Sequence, residues 1–154
     1  MVALIVHALL GITVVLAFVR ANRPLFARGA PLSRLELTYL LVGVATTVGA
    51  WVFNIRFVVD YMHRNANPLW GSGSSWVHYC QLLFQNPASG SASVDFIVIN
   101  LVILPLLLLT DGRRRQIQGL WLAFCATLFL SCTAGFALYL LAVERQRVQS
   151  VAMA

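Results

Sequence analysis

Four long apolar runs constrain the fold of this chain more than any other feature. They cover residues 2–19, 37–59, 94–110 and 120–143. A helix needs about 20 apolar residues to cross a bilayer, and only helices and closed barrels satisfy their backbone groups there. Charged residues make up 10% of the chain, against about a quarter in a soluble domain. The sequence therefore predicts an all-α integral membrane protein, with residues 1–154 forming one transmembrane domain built as a four-helix bundle.

The basic residues predict how these spans are oriented. All eleven are arginines; four lie in the connection 20–36 and three in 111–119. Connections rich in arginine stay in the cytoplasm. We therefore predict that 20–36 and 111–119 are cytoplasmic and that 60–93 is external. Both termini are then predicted to lie outside, together with Arg145 and Arg147.

The same arginines limit the classes of partner. They flank apolar runs, where they would meet lipid headgroups, so membrane lipid is the expected partner. No basic stripe with interleaved aromatic residues stands apart from a span. Nucleic acid is therefore not expected to bind.

The long external connection is predicted to contain one short helix. It carries a Gly/Ser-rich stretch at 71–75 and a turn signal at Asn86-Pro87. Between them, Trp76–Phe84 has an amphipathic helical pattern. We predict an interfacial helix here, in the connection between the second and third spans, lying along the outer membrane surface.

Five polar side chains are predicted to lie at similar depth near the outer face. They are His7, Asn54, Arg56, Asp60 and Asp95. A carboxylate at the edge of a span is costly unless a partner offsets it. A four-helix arrangement could join several of these groups around one cavity, where a nearby arginine or histidinium would keep Asp95 ionised.

Each of these groups also has a purely structural interpretation. If Ser93 is the N-cap of the third helix, Asp95 lies in the first turn and complements the helix dipole. Arg56 could extend to the outer headgroups, and Trp51 could belong to the aromatic belt at the outer interface. His7 could simply pack at that interface. Both interpretations of Asp95 stay open at this point.

A stripe of small residues on the second run predicts close helix packing. The stripe comprises Gly43, Thr47, Ala50 and Asn54. Small residues let two backbones approach closely, and an amide such as that of Asn54 can form a hydrogen bond across the interface. The predicted partner face lies on the fourth run, at Ser131 and Gly135.

Motifs for catalysis and for cofactors are not found. The chain has no Gly-rich phosphate loop, no Ser nucleophile motif and no helix with His and acidic residues at zinc spacing. Its three cysteines form no Cys-x-x-Cys pair. No metal site and no cofactor are predicted.

Several short motifs carry a family resemblance. They are Trp51-Val-Phe-Asn54, Asn86-Pro-Ala-Ser89, Ser93-Val-Asp95 and Asp111-Gly-Arg-Arg114. Over about residues 40 to 147 the chain resembles a family of small bacterial multi-helix membrane proteins described as a domain of unknown function. The resemblance implies a bacterial inner-membrane protein and supports the importance of Asn54, Asn86 and Asp95, but it implies no activity. The candidate binding residues are Trp51, Asn54, Arg56, Asn86, Ser89 and Asp95.

Three functions are compatible with these observations. The favoured one is a non-enzymatic protein that binds a lipid, a partner membrane protein or a second copy of itself through the outer polar cluster. The second is a small membrane enzyme or carrier for an apolar substrate, with Asp95 as its acid/base or proton-coupling group and His7 as its partner. The third is a structural subunit of a larger membrane complex.

Overall fold

The part of the chain that the structure describes is built from helices alone. The computed structural model describes residues 2–27, 31–61, 67, 69–71 and 73–152, and within them it confirms the predicted all-α class. We number the helices of these residues α1 (Val2–Ala21), α2 (Arg23–Phe26), α3 (Arg34–Tyr61), α4 (Trp76–Leu82), α5 (Pro87–Gly112), α6 (Leu120–Phe129) and α7 (Cys132–Ala152).

Three of the described helices, α1, α3 and α5, are long and apolar enough to cross a membrane. They coincide with the first three apolar runs. Helix α5 contains two π-helical turns, Ile99–Ile103 and Leu108–Gly112, on either side of Pro105. Proline has no N–H to donate to the preceding turn, so the backbone around it adopts wider hydrogen-bonded turns and stays helical.

The fourth apolar run differs from the single helix predicted for 120–143. Helix α6 ends at Phe129, and α7 starts at Cys132. Ser131 begins the new helix because its hydroxyl accepts a hydrogen bond from the Ala134 N–H at 3.1 Å. The ten residues of α6 reach only about 15 Å, half the thickness of a bilayer core. The predicted bundle of four spanning helices is therefore not confirmed.

Helices α6 and α7 form an antiparallel hairpin. Gly135 lies so close to α6 that an added Cβ would be 2.6 Å from the carbonyl oxygen of Ala123. Further along α7, the Gln146 side chain donates to the carbonyl of Arg115 at 2.7 Å. Residues further along α7 therefore contact residues earlier in the segment that leads into α6, as expected for antiparallel helices. Its C-terminal half lies at the end where α6 begins.

Helix α7 also runs antiparallel to the first half of α3. The facing pairs are Thr47 with Ser131, Gly43 with Ala137, and Glu36 with Arg145. The hydroxyls of Thr47 and Ser131 lie 3.5 Å apart, which confirms Ser131 as a partner of the small-residue stripe. Gly135 faces α6 and not α3, because the hairpin turns it away.

The hairpin changes which parts of the chain share one end of the molecule. Arg145 donates to the carbonyl of Leu25 at 3.2 Å, so the last turns of α7 lie against the connection 20–36. This contact corrects the prediction that Arg145 and Arg147 lie opposite the arginine-rich connections. Helix α1 begins about 30 Å from that end. The start of α1 and the end of α7 therefore lie at opposite ends of the molecule, whereas the sequence predicts them at the same end. Arg28, Arg64 and part of connection 60–93 lie outside the described residues.

The core lies where α1 and α5 meet the hairpin. Phe18, Leu104, Ala123 and Ala142 have no exposed surface, and the alanines allow α6 and α7 to approach closely. At the end of α1, the buried Asn22 closes the packing. Its amide donates to the carbonyl of Gln118 and accepts from the N–H of the same residue, at 2.8 and 2.9 Å. These bonds join the two arginine-rich connections.

The short helix predicted in the external connection is confirmed over Trp76–Leu82. Ser75 starts it by accepting a hydrogen bond from the N–H of His78 at 3.1 Å. The His78 ring then packs on Phe57 of α3, with centroids 5.9 Å apart. Helix α4 therefore rests on the last turns of α3.

Candidate functional site

The predicted outer cluster is not assembled into a site among the described residues. Asp95 is exposed on the third turn of α5 and has no hydrogen bond or ion pair with a described residue. Among the described residues Arg56 forms an ion pair only with Asp60 of its own helix, at 3.6 Å and with both side chains largely exposed. Such an exposed pair contributes little to stability. The described residues therefore give Asp95 no enclosed cavity in which to act as an acid or base.

Asn86 and Ser89 lie together, and their role in the structure is to start α5. Asn86 Oδ1 accepts from the Ser89 N–H at 2.9 Å, and Ser89 Oγ accepts from the Asn86 N–H at 3.4 Å. This is a capping box, which satisfies two backbone donors at once. Ser93, predicted as the N-cap, is instead buried within α5 and donates to the carbonyl of Leu83 at 3.0 Å. The motif thus starts one helix and fastens it to the end of α4.

The other predicted site residues are spread over α1 and α3. His7 is exposed, and its ring packs edge-on against Phe129 at the hairpin turn, with centroids 5.7 Å apart. Trp51 and Asn54 are half-buried on α3. The indole Nε1 of Trp51 is buried and has no hydrogen-bond partner among the described residues. Of the predicted site residues, only Asn86 with Ser89 and Arg56 with Asp60 are joined by direct bonds.

The buried charges lie at the opposite, arginine-rich end, and the sequence did not single them out. Glu36 has no exposed surface and Arg145 is 5% exposed. Their closest charged atoms, Nη1 and Oε1, are 3.3 Å apart. The same guanidinium donates to the carbonyls of Leu25 and Pro31, at 3.2 and 3.4 Å. Arg145 therefore holds α2, the segment before α3 and α3 itself against α7.

Glu144 extends this buried network. It is 5% exposed, accepts from the Ser33 hydroxyl at 3.1 Å and accepts from Arg147 Nη2 at 2.6 Å. The Arg147 guanidinium beside it lowers the pKa of the Glu144 carboxyl. Glu144 is therefore ionised at neutral pH and links the end of α7 to the start of α3.

A local signal in the sequence could have identified Glu36. Ser33 and Glu36 form a capping box at the start of α3, with N–H to side-chain distances of 2.6 and 3.1 Å. Ser-x-x-Glu ahead of an apolar run is a recognised helix-start pattern. The partnership with Arg145 is different, because 109 positions separate the two residues. No spacing rule could have connected them.

An apolar groove of about 240 Å³ lies next to this network, between α1, α3 and α7. Its lining includes Val15, Tyr39, Val44, Thr47, Leu130 and Ala134. An adjoining pocket of about 100 Å³ is lined by Glu36, Arg145 and four apolar residues. Leu40 and Leu141 line both spaces. The apolar groove therefore adjoins the pocket that is lined by the buried ion pair, and Leu40 and Leu141 lie between the two spaces.

A family model described as "Protein of unknown function DUF2834" matches residues 38–145. The chain belongs to this family. The match confirms the resemblance inferred from the motifs over about residues 40 to 147. No curated protein and no solved structure matches the chain.

The segment Asp111-Gly-Arg-Arg114, which lies within the matched residues, has a clear packing role. Asp111 accepts hydrogen bonds from the Tyr139 hydroxyl and from Arg115, both at 2.6 Å. Gly112 lies against Leu120, whose Cδ2 would be 2.5 Å from an added Cβ. The motif therefore fastens the end of α5 to both helices of the hairpin.

The arginine-rich end of this DUF2834 protein carries excess positive charge. Its three described acids, Glu36, Asp111 and Glu144, each form an ion pair with one arginine. The arginines at this end that form no ion pair with a described acid are Arg20, Arg23, Arg34, Arg113 and Arg114. Such a surface attracts anionic lipid headgroups. Within the described residues, no group of three His, Cys, Asp or Glu side chains could hold a metal ion.

Proposed function

We propose that this DUF2834 protein is a non-enzymatic, multi-pass protein of the bacterial inner membrane that binds a lipid at its arginine-rich end. Helices α1, α3 and α5 would span the bilayer. The α6–α7 hairpin would enter from the arginine-rich side and return to it. The positive-inside rule then assigns this end to the cytoplasm, with the start of α1 outside and the end of α7 inside.

The single observation that carries the proposal is that the apolar groove lies directly beside the ion-pair pocket, with Leu40 and Leu141 lining both. A lipid is apolar along its chains and polar at its head, so it matches an apolar groove with a charged pocket at one end. In a bilayer, the apolar wall alone selects little, because neighbouring lipid tails are equally apolar. Selection would therefore come from the pocket lined by Glu36 and Arg145, and the excess of arginines at the same end of the molecule favours an anionic head.

The proposal keeps lipid binding as the favoured function and moves the site from the outer leaflet to the inner one. The groove of about 240 Å³ is smaller than the roughly 300–1,000 Å³ typical of sites that enclose drug-sized ligands. It suits one acyl chain held laterally better than an enclosed reaction chamber. The exposed position of Asp95 gives the enzyme or carrier alternative no comparable support.

The test is to fill the groove without disturbing the core. Val44 and Val52 both lie on α3 and are 58% and 57% exposed, but only Val44 lines the groove. The variant Val44→Trp is therefore compared with the matched control Val52→Trp. Each full-length protein is extracted together with its surrounding lipid in polymer nanodiscs, and its tightly bound lipid is identified and quantified by mass spectrometry.

We expect Val44→Trp to retain about tenfold less anionic lipid than Val52→Trp, equivalent to roughly 1.4 kcal/mol of binding free energy. Circular dichroism checks that both variants keep their helix content. Equal lipid retention by two folded variants would refute binding in this groove. A protein that co-purifies at fixed stoichiometry in place of lipid would point to the partner or subunit alternative.

A further inference from the structure

The connection between α3 and α5 contains a long stretch without any charged residue. Residues 65–94 include no Asp, Glu, Lys or Arg, although about a quarter of the residues of a soluble domain are charged. Large apolar side chains on this stretch are nevertheless exposed. Leu69 is 58%, Trp70 67% and Trp76 63% exposed. This surface therefore suits an uncharged, apolar partner better than water.

The turn that precedes α4 forms many of its hydrogen bonds within itself. Asn67 Oδ1 accepts from the N–H groups of Leu69 and Trp70, at 2.8 and 3.3 Å. The carbonyl of Leu69 accepts from the N–H of Val77 at 3.2 Å, which holds the turn against the start of α4. Ser75 is 1% exposed, and its hydroxyl donates to a carbonyl of the same turn. Backbone groups that are bonded internally in this way can enter a region where water is scarce.

Two helices place α4 at the outer edge of the hydrocarbon core. The apolar part of α3 begins at Leu37, and Phe57, which packs against α4, lies about 30 Å further along the helix. Helix α5 ends at Gly112, and Ser93, which is bonded to the end of α4, lies roughly 28 Å back along it. Leu37 and Gly112 are both next to the ion pairs of the arginine-rich end. Both distances match the hydrocarbon core of about 30 Å, so α4 lies where the opposite headgroups begin.

We propose that Leu69, Trp70 and Trp76 insert beneath the headgroups of the outer leaflet and bind its lipid chains whatever the headgroup charge. Tryptophan favours this depth, because its ring is apolar and its N–H bonds to the wet side of the interface. Residues 65–94 supply no charge that could select a headgroup. The contact includes the turn before α4 as well as the helix predicted to lie along the surface. It rests on the proposed spans and does not depend on lipid in the groove.

The experiment measures the depth of the two tryptophans in the full-length protein. The double variant Trp51→Phe with Trp121→Phe leaves Trp70 and Trp76 as its only indoles, and circular dichroism checks that its helix content is kept. It is placed in nanodiscs of phosphatidylcholine that carry bromine near the carbonyl groups, bromine near the chain ends, or no bromine. Bromine quenches indole fluorescence only at close range. The same series is prepared with phosphatidylglycerol.

We expect bromine near the carbonyl groups to quench the emission about twofold more than bromine near the chain ends, equally in both lipids. Absence of quenching by either label would show that the tryptophans lie in water or against protein, and would overturn the proposal. Stronger quenching by the deep label would also overturn it, because the side chains would then lie below the interface. Quenching in phosphatidylglycerol alone would overturn the independence from headgroup charge.

A second measurement uses the wild-type chain and so depends on no variant. A phosphatidylcholine with a photoreactive group near the carbonyl of one chain is crosslinked in nanodiscs, and labelled residues are located by mass spectrometry. We expect labels on 69–76 and around Val59, which is 58% exposed on α3 at the same level. Labels around Val59 without labels on 69–76 would overturn this inference and leave the proposed spans intact. Absence of labels from both would overturn the inference and the spans together.

Discussion

Replacing Glu36 with glutamine tests whether the buried ion pair holds the arginine-rich end together. Glutamine keeps the length of the side chain and can still serve in the capping box with Ser33, where Glu and Gln are both effective. The substitution therefore removes little except the negative charge opposite Arg145. The Arg145 guanidinium then stays buried, 3.3 Å from a neutral amide.

The expected cost follows from the burial of both partners. The side chains of Arg145 and Glu36 are 6% and 0% exposed, so solvent does not screen their interaction. Removing one member of such a pair costs about 3–5 kcal/mol. For a chain of this size, each kcal/mol lowers the unfolding midpoint by about 2–4 °C, so Glu36→Gln should lower it by roughly 6–20 °C.

The assay is thermal unfolding in one fixed lipid or detergent, followed by tryptophan fluorescence. The matched control is Asp60→Asn, the same carboxylate-to-amide change at the other end of α3. Asp60 pairs with an arginine that is 75% exposed, so this control should cost at most about 1 kcal/mol. Both variants remove one negative charge, so the difference between their unfolding midpoints reports the effect of burying the ion pair.

Equal midpoints for Glu36→Gln and Asp60→Asn would refute the reasoning, because the buried pair would then contribute no more than an exposed one. A double variant, Glu36→Leu with Arg145→Met, supplies a second check. It leaves no unpaired buried charge, so it should unfold at a higher temperature than Glu36→Gln. A double variant that is less stable would show that the hydrogen bonds from Arg145 to the carbonyls of Leu25 and Pro31 matter more than its charge.

Three further predictions concern the hairpin and its surroundings. Reporters fused before α1 and after α7 should report opposite sides of the membrane, and reporters on one side would refute the returning hairpin. Gly135→Ala should destabilise the protein in thermal unfolding, because the added Cβ would be 2.6 Å from the Ala123 carbonyl oxygen. The control Gly49→Ala should be neutral or stabilising, because its added Cβ would meet no atom within 4 Å. Equal effects of the two variants on the unfolding midpoint would contradict close packing of α6 and α7. Because Arg147 lowers the folded-state pKa of Glu144, this contribution is present above the unfolded pKa and lost as pH falls through the folded value. Glu144→Gln should therefore lower the unfolding midpoint at pH 7 and flatten its fall in acid, and an unchanged acid profile would refute the role of this carboxylate.

The apolar runs predict the helical class and the first three helices because burial in lipid demands long apolar segments. The same measure cannot detect the break at Leu130, because Leu130 is as apolar as its neighbours and a single serine does not interrupt an apolar run. Ser131 is a residue type that commonly starts a helix, but the sequence predicts it only as part of the face that packs against the small-residue stripe. Hydropathy therefore reports that a segment is apolar, and it does not report whether the segment crosses or turns back.

In the candidate site, too, contacts between residues close in sequence can be predicted, whereas contacts between residues far apart in sequence cannot. Asn86 and Ser89 are predicted as binding residues, and the bonds they form are those of a helix cap. These bonds are local, so the capping role could have been predicted from the spacing of the two residues. The Glu36–Arg145 pair depends on α7 reversing its direction. Without that reversal, Arg145 belongs to the opposite side of the membrane. One unrecognised turn therefore kept the Glu36–Arg145 pair out of the residues that the sequence singles out.

The turn at Leu130 and Ser131 has a consequence for how the protein is assembled. The Ser131 hydroxyl in this turn lies 3.5 Å from the Thr47 hydroxyl and accepts from the Ala134 N–H, and an irregular backbone is not tolerated in bare lipid. In the proposed arrangement, the hairpin would therefore enter the bilayer only after α1 and α3 have come together to receive it. Synthesis of the first three helices would precede this docking, and the last part of the chain would wait at the arginine-rich surface. Insertion of the protein should thus end with a packing step and not with the crossing of a fourth span.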